Sequence, residues 1–194
     1  MTHAALPVPP NAAPQSDDAL MARVAGRDVA AFRLLVDRHA EPLRRIGYRL
    51  IGDASEAEDL AQEALLRLWR DAARWQQGRA GVAAWLSRVV VNLCLDRLRR
   101  KKFGSDAEVP DRADEAPLAP EAIDAAQLRA ATVAAIAALP DRQRAAIVLT
   151  YYEEKTNQMA ADAMDMKLKA FESLLLRARA ALRIALAPVR EDVR

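Results

Sequence analysis

Ala57-Glu58-Asp59-Leu60-Ala61-Gln62-Glu63-Ala64-Leu65-Leu66-Arg67-Leu68-Trp69 is the stretch whose reading decides the fold. Leu60, Ala64, Leu65, Leu68 and Trp69 return at the three- and four-residue spacing of one helix face. Glu56, Asp59, Gln62, Glu63 and Arg67 fall on the other face. Ser55 opens this helix, and Glu58 stands three residues later, which fits a capping box. An amphipathic helix with a compact acidic and amide face suits docking on a basic partner. By composition alone it equally suits a charged helix facing water.

The same helical period extends outward in both directions. Toward the N-terminus, Gly52-Asp53 ends a helix carrying Leu43, Ile46, Leu50 and Ile51. Pro42 is expected to kink or interrupt it. Before the proline come Val29, Phe32, Leu35 and Val36, with Asp28 as the cap. A first short helix runs from the Ser16-Asp17-Asp18 cap to Val24, with Gly26 as its stop. Toward the C-terminus, a loop from Gln76 to Gly81 precedes a helix from about Val82 to Lys102. Its Trp85, Leu86, Val89, Val90, Leu93, Leu95 and Leu98 are expected mostly inward. The second half opens with an Ala-rich helix to Ala138. Pro140 suits a helix's first turn, and a helix over 142–152 follows. Two short helical patterns then cover 157–164 and 168–186.

Composition agrees with an all-α chain. Of 194 residues, 52% are hydrophobic, mostly Ala and Leu, 29% are charged and 5% aromatic. Gly is scarce and β-branched runs are short, which favours helices over strands. Four of the ten prolines fall in residues 1–15, which read as a tail. Three more fall between Gly104 and Pro120, which read as a linker. The expected architecture is therefore two helical domains, 16–103 and 121–187, joined by a flexible linker over 104–120. Tails occupy 1–15 and 188–194.

Net charge is only +2, but it is unevenly spread. From Arg88 to Lys102 there are six bases and one acid, and from Phe103 to Glu121 six acids and one base. Cys94 is the single cysteine, between Leu93 and Leu95, and reads as a small buried residue. One Cys with His3 and His39 makes a metal site improbable. The N-terminus lacks the pattern of a secretion signal. No apolar run reaches the ~20 residues of a membrane span. The expectation is a cytoplasmic protein with no membrane insertion and no cofactor. No nucleophile–base pair or phosphate-cradling glycine loop is present, so the chain does not read as an enzyme.

Two further constellations carry chemistry. Asp96-Arg97-Leu98-Arg99-Arg100-Lys101-Lys102 puts five positive charges in six residues, which attracts a phosphate backbone. Trp75 and Trp85 either belong to the core or frame a loop for an unstacked base. Near the C-terminus, Thr156 caps a short helix with Met159, Ala160, Ala163 and Met164. Asp165-Met166-Lys167 makes a tight turn into a helix with Leu168, Phe171, Leu175 and Ala178 at core spacing. That layout is either an ordinary hairpin or a helix-turn-helix, whose second helix enters the major groove.

The order of these pieces resembles a known family. Asp59-Leu60-Ala61-Gln62-Glu63 with Leu66-Arg67-Leu68-Trp69 resembles the polymerase-binding helix of sigma-70 factors. Ala84-Trp85-Leu86-Ser87-Arg88-Val89-Val90-Val91-Asn92-Leu93, then Asp96-Arg97-Leu98-Arg99-Arg100, is similar to the helix that reads the minus-10 element. Leu139-Pro140-Asp141-Arg142-Gln143-Arg144, Tyr151-Tyr152, Thr156-Asn157 and the closing Arg177-Ala178-Arg179-Ala180-Ala181-Leu182 resemble the minus-35 domain. The subfamily resembled is the compact extracytoplasmic function (ECF) type, over about residues 20–186.

The resemblance implies a promoter-specificity subunit with three interfaces. Asp59, Gln62, Glu63, Leu66 and Trp69 would meet RNA polymerase core, with Trp69 the residue most expected to pack inward. Asn92, Arg97, Arg99, Arg100 and Lys101 would hold minus-10 DNA, beside a pocket for a flipped base at Gln76 to Gly81. Lys167, Lys169, Glu172, Ser173, Arg177 and Arg179 would meet minus-35 DNA. Implied partners are the clamp and flap of core polymerase, promoter DNA and a controlling anti-sigma factor. The acidic linker would thread toward the polymerase active centre. The sequence departs from the family at Asp165, where glycine is usual, and at Glu172 and Leu174, where bases are common. Leu174-Leu175-Leu176 is unusually apolar for a surface facing DNA. The competing reading is a stand-alone helix-turn-helix regulator that binds an operator as a dimer.

Overall fold

The computed structural model describes residues 15–75, 81–103 and 120–188. The expected tail over 1–15 and the linker fall almost wholly outside these residues, as do most of the Gln76–Gly81 loop and of the C-terminal tail. Among the described residues there are eight α-helices and no strand. They are α1 (Asp17–Ala25), α2 (Val29–Ile51), α3 (Ala54–Asp71), α4 (Gly81–Phe103), α5 (Pro120–Ala137), α6 (Asp141–Ile147), α7 (Asn157–Ala163) and α8 (Leu168–Ala185). A 3-10 turn, Ala72–Arg74, follows α3, and a π-helical turn, Val148–Tyr152, follows α6.

Each boundary has a local cause. Ser16 accepts a hydrogen bond from the Ala19 N–H, and Asp28 accepts from Ala30 and Ala31. After α1 the left-handed residue is Arg27 (φ 63°), not Gly26 (φ −81°). The Asp28 N–H reaches back to the Arg23 carbonyl, closing a Schellman turn around Arg27. Gly52 takes the left-handed position after α2 at φ 81°.

Three expectations about these boundaries are corrected. Pro42 does not interrupt α2, which runs continuously from Val29 to Ile51. The missing N–H costs about 3 kcal/mol, but Leu43, Ile46, Leu50 and Ile51 beyond it are all buried. Each such side chain contributes about 1.5–3 kcal/mol, so packing carries the helix past the proline. The cap of α3 is Asp53, which accepts from the Glu56 N–H at 2.8 Å; Ser55 and Glu58 do not form the expected box. Finally, the 142–152 helix is α only to Ile147. The next turn widens, with the Glu153 N–H bonded to the Val148 carbonyl five residues back. Val148 and Leu149 stay buried, while Tyr151 and Tyr152 project outward.

One continuous hydrophobic core runs through both halves of the chain. Helix α4 lies at its centre, against α1, α2 and α3 on one side and α6 and α7 on the other. This explains its weak amphipathic pattern. Val82, Leu86, Val90, Val91 and Cys94 are buried, and Trp85, Val89, Leu93, Leu95 and Leu98 are partly buried around them. A helix covered on two sides has no single apolar stripe. Between the halves, Arg49 pairs with Glu153 at 2.5 Å and lies over the Tyr152 ring at 4.6 Å. Arg88 pairs with Asp165 at 2.7 Å, and Lys102 with Asp141 at 2.8 Å.

Candidate nucleic-acid and protein interfaces

The residues assigned from the sequence fall on three outward faces. The first lies on α3. Asp59 and Gln62 are exposed, Leu66 is 49% exposed, and Glu63 is half-buried beside them. Gln62 donates to Glu58 at 3.0 Å. Glu63 accepts from Arg67 at 2.8 Å and from Arg70 at 3.0 Å. Chiefly the Arg67 hydrogen bond, aided by the charge of Arg70, holds the Glu63 carboxyl below its ordinary value despite partial burial. Trp69 belongs to a different environment. It tilts against Phe32 at 5.0 Å, Arg27 lies 5.3 Å over its ring, and it packs on the core. The α3 face thus groups Asp59, Gln62, Glu63 and Leu66, and leaves Trp69 to anchor the helix.

The second face lies on α4. The five cationic or polar residues assigned to it do not share one side. Helical rotation sets Asn92, Asp96, Arg99 and Arg100 along one exposed strip. Arg97 and Lys101 turn toward α3, where both pair with Glu56, at 3.4 and 2.5 Å. Arg99 is tied to Asp96 at 3.1 Å. Arg100 is exposed and makes no ion pair among the described residues. Four of the run's five cations are therefore paired with three of the protein's own carboxylates, Glu56, Asp96 and Asp141, which sequence alone did not reveal, and the run stays net positive.

At the N-terminal end of α4, Trp75 and Trp85 meet edge to face, 6.0 Å apart. Both are partly buried against the core, and the Trp75 indole N–H is buried with no partner among the described residues. They line a cleft of about 640 Å³ with Arg74, Arg88, Asp162 and Met166. The Gln76–Gly81 loop, the expected pocket for a flipped base, lies mostly outside the described residues. Cys94, as expected, is wholly buried, and burial pushes its thiol up to about 12.

The third face belongs to the α7–α8 pair. Thr156 caps α7 by accepting from the Met159 N–H. The turn between the helices is a second Schellman turn: Met166 N–H bonds the Ala161 carbonyl at 2.9 Å and Asp165 N–H bonds Asp162 at 3.2 Å. Asp165 holds the left-handed position at φ 54°. This is the position where glycine was expected, and Asp is among the residues that tolerate it. Phe171, Leu174, Leu175 and Ala178 face inward. Lys167, Lys169, Glu172, Ser173, Arg177 and Arg179 are all exposed. Arg179 is drawn aside over Tyr151 at 5.4 Å. The apolar run is resolved by rotation: Leu174 and Leu175 are 7% and 2% exposed, whereas Leu176 is 67% exposed. Leu176 is exposed on this face and carries none of the roles expected from the sequence.

A basic second helix presented from a helix-turn-helix, in a fold that is helical throughout the described residues, is the arrangement that DNA-binding regulatory proteins use. Comparison with known proteins narrows this. The Sigma-70 region 2 family model matches residues 35–103, and the Sigma-70, region 4 model matches residues 129–182. The chain is 30% identical to the ECF RNA polymerase sigma factor SigW of Bacillus subtilis, over 80% of this chain and 89% of SigW. It is 35% identical to the ECF RNA polymerase sigma factor SigE of Mycolicibacterium smegmatis, over 79% of this chain but only 60% of that relative's length. Its fold is similar to that of CnrH, solved in complex with the cytosolic domain of CnrY. There the TM-score is 0.65 and identity 25%, covering 89% of this chain and 97% of CnrH. The chain belongs to the sigma-70 family, among the ECF RNA polymerase sigma factors. That membership sets aside the stand-alone regulator.

Among the described residues, no helix is long and apolar enough to cross a membrane. No cluster of described side chains is suited to a metal ion.

Proposed function

We propose that this sigma factor divides its work between two units, residues 16–103 and 121–187, joined by the acidic segment over 104–120. The first would dock on the clamp of core polymerase through Asp59, Gln62, Glu63 and Leu66. Its α4 would hold minus-10 DNA through Asn92, Arg99 and Arg100, with Arg97 and Lys101 released from Glu56 when phosphate competes for them. The second unit would lie near the flap and place α8 in the major groove of the minus-35 element. There Lys167, Lys169, Arg177 and Arg179 meet phosphates, and Glu172 and Ser173 face base edges. No catalytic step is assigned to the chain: it selects where the polymerase starts. It acts in the cytoplasm, and an anti-sigma factor holds its free form, a reading supported by the solved complex of CnrH, similar in fold, with the cytosolic domain of CnrY.

One observation carries this reading. Around a single core, the exposed faces include an acidic–amide strip on α3, a strip on α4 whose Arg100 has no ion pair among the described residues, and a cationic ridge on α8. The test is reconstituted transcription with core polymerase. Arg99→Glu with Arg100→Glu should abolish promoter opening and leave core binding within about twofold, because neither residue supports the core. Arg97 is left unchanged, since reversing it would set two carboxylates against each other. Asp59→Lys with Gln62→Lys should weaken core binding by about tenfold, or ~1.4 kcal/mol. If both pairs lower core binding equally, the assignment of faces is wrong.

A further inference from the structure

An exposed line of α8 runs through Lys169, Ser173 and Leu176 to the partly covered Ala180, opposite the buried Phe171, Leu175 and Ala178. Leu176 stands in the middle of that line, 67% exposed. Its neighbours one turn away on either side, and beside it, are Glu172, Ser173, Arg177 and Ala180. Packing within the protein does not explain this leucine, because Leu174 and Leu175 already fill the inward positions. Its surroundings indicate what would cover it. Lys167, Lys169, Arg177 and Arg183 lie exposed along the same helix against one acid, Glu172. A surface of that charge suits a polyanion, and the apolar group a duplex offers in its major groove is the C5-methyl of thymine.

We propose that Leu176 covers a thymine methyl group and so makes the factor prefer an A·T pair of one orientation at a single position of the upstream element. The inference rests on the reading of α8 as the helix that enters the groove. Hydrogen-bonding residues discriminate bases by donors and acceptors. Leu176 would add a contact that separates thymine from cytosine and uracil by a methyl group alone. Ser173 donates its hydroxyl to the Lys169 carbonyl, and Arg177 Nε donates to the Ser173 carbonyl. These bonds keep the polar neighbours close to the helix and leave Leu176 projecting among the cations; Ile184, 74% exposed, lies two turns further on, at the C-terminal end of the helix.

Deoxyuridine differs from thymidine only by the lost methyl, so it isolates this contact. Holoenzyme reconstituted from the full chain would first select its upstream element from randomised duplexes. Each thymine of the selected element, on either strand, would then be replaced singly by deoxyuridine. One replacement should weaken binding by about fourfold, the worth of one buried methyl. Leu176→Ala should weaken binding to the thymine duplex and lose the penalty at that position, while Leu176→Met keeps it. The position is exposed and alanine favours helix, so unchanged circular dichroism of the variants would confirm intact folding. The proposal is overturned if the wild type ignores deoxyuridine everywhere, if the selected element has no thymine on either strand, or if Leu176→Ala retains the penalty. Selection with no upstream preference at all would instead overturn the reading of α8 itself.

Discussion

The first turn of α3 shows how a single carboxylate decides a helix start. Ser55 and Glu58 have the spacing of a capping box, yet Asp53 holds the extended conformation and accepts from the Glu56 N–H. Two residues of register separate the two possibilities, and both satisfy the same sequence rule. The left-handed Gly52 settles it, because it ends α2 and delivers Asp53 directly to the cap. Asp53→Ala should therefore cost about 1 kcal/mol in a urea melt, and Ser55→Ala should change stability little. Equal losses would mean that Ser55 shares the capping role. Asp165 and Arg27 make a related point. Both occupy left-handed positions usually given to glycine, and both gain a partner across the fold: Arg88 for Asp165, and Trp69 for Arg27. Glycine would relieve the backbone and lose those contacts.

At the scale of elements, α2 and α3 approach so closely that side-chain size sets their spacing. A Cβ built on Gly47 would lie 3.1 Å from both Cα and Cβ of Ala57. Those atoms belong to the α3 backbone or sit directly on it, so they cannot swing away. Alanine at this position would combine crowding with better helix propensity, and the two effects oppose each other. Valine tips the balance, since its branches add more bulk than alanine while its helical advantage over glycine is smaller. Gly47→Val should destabilise the chain by about 1–3 kcal/mol, read as a lower denaturation midpoint. An unchanged midpoint would show that the helices part without cost. This contact also matters for function, because α3 carries the proposed polymerase face and its tilt is set by α2.

Among the described residues, apolar packing around α4 and three ion pairs join the halves of the molecule. They differ in weight. Arg88–Asp165 is exposed on both sides, at 50% and 68%, and such pairs contribute only about 0–1 kcal/mol. Arg49–Glu153 is different, because Glu153 is only 8% exposed and Arg49 also covers Tyr152. Removing Arg49 would strand a largely buried carboxylate, which costs more than the pair contributes. Arg49→Ala should therefore let the halves separate, seen as a larger radius of gyration in solution scattering. Arg88→Ala should leave the radius unchanged. If Arg49→Ala remains as compact as the wild type, the apolar contacts alone hold the halves together. The same packing brings Lys102 to Asp141, so separation of the halves would free a cation at the end of the α4 strip.

What the sequence determined by itself was local. Helical period and the order of motifs specify the eight described helices and the family, because these signals act over a few residues and survive without knowledge of neighbours. Rotation about each axis is also partly legible, which is why Asp59, Gln62, Lys169 and Ser173 emerge on exposed faces. Other features depend on residues distant in the chain. Only the folded structure could set Arg97 and Lys101 against Glu56, turn Trp69 onto Phe32, carry α2 past Pro42 and single out Leu176 from its two buried neighbours. Each of these outcomes is a competition between partners brought together by packing, and a linear pattern does not contain the distances that decide it.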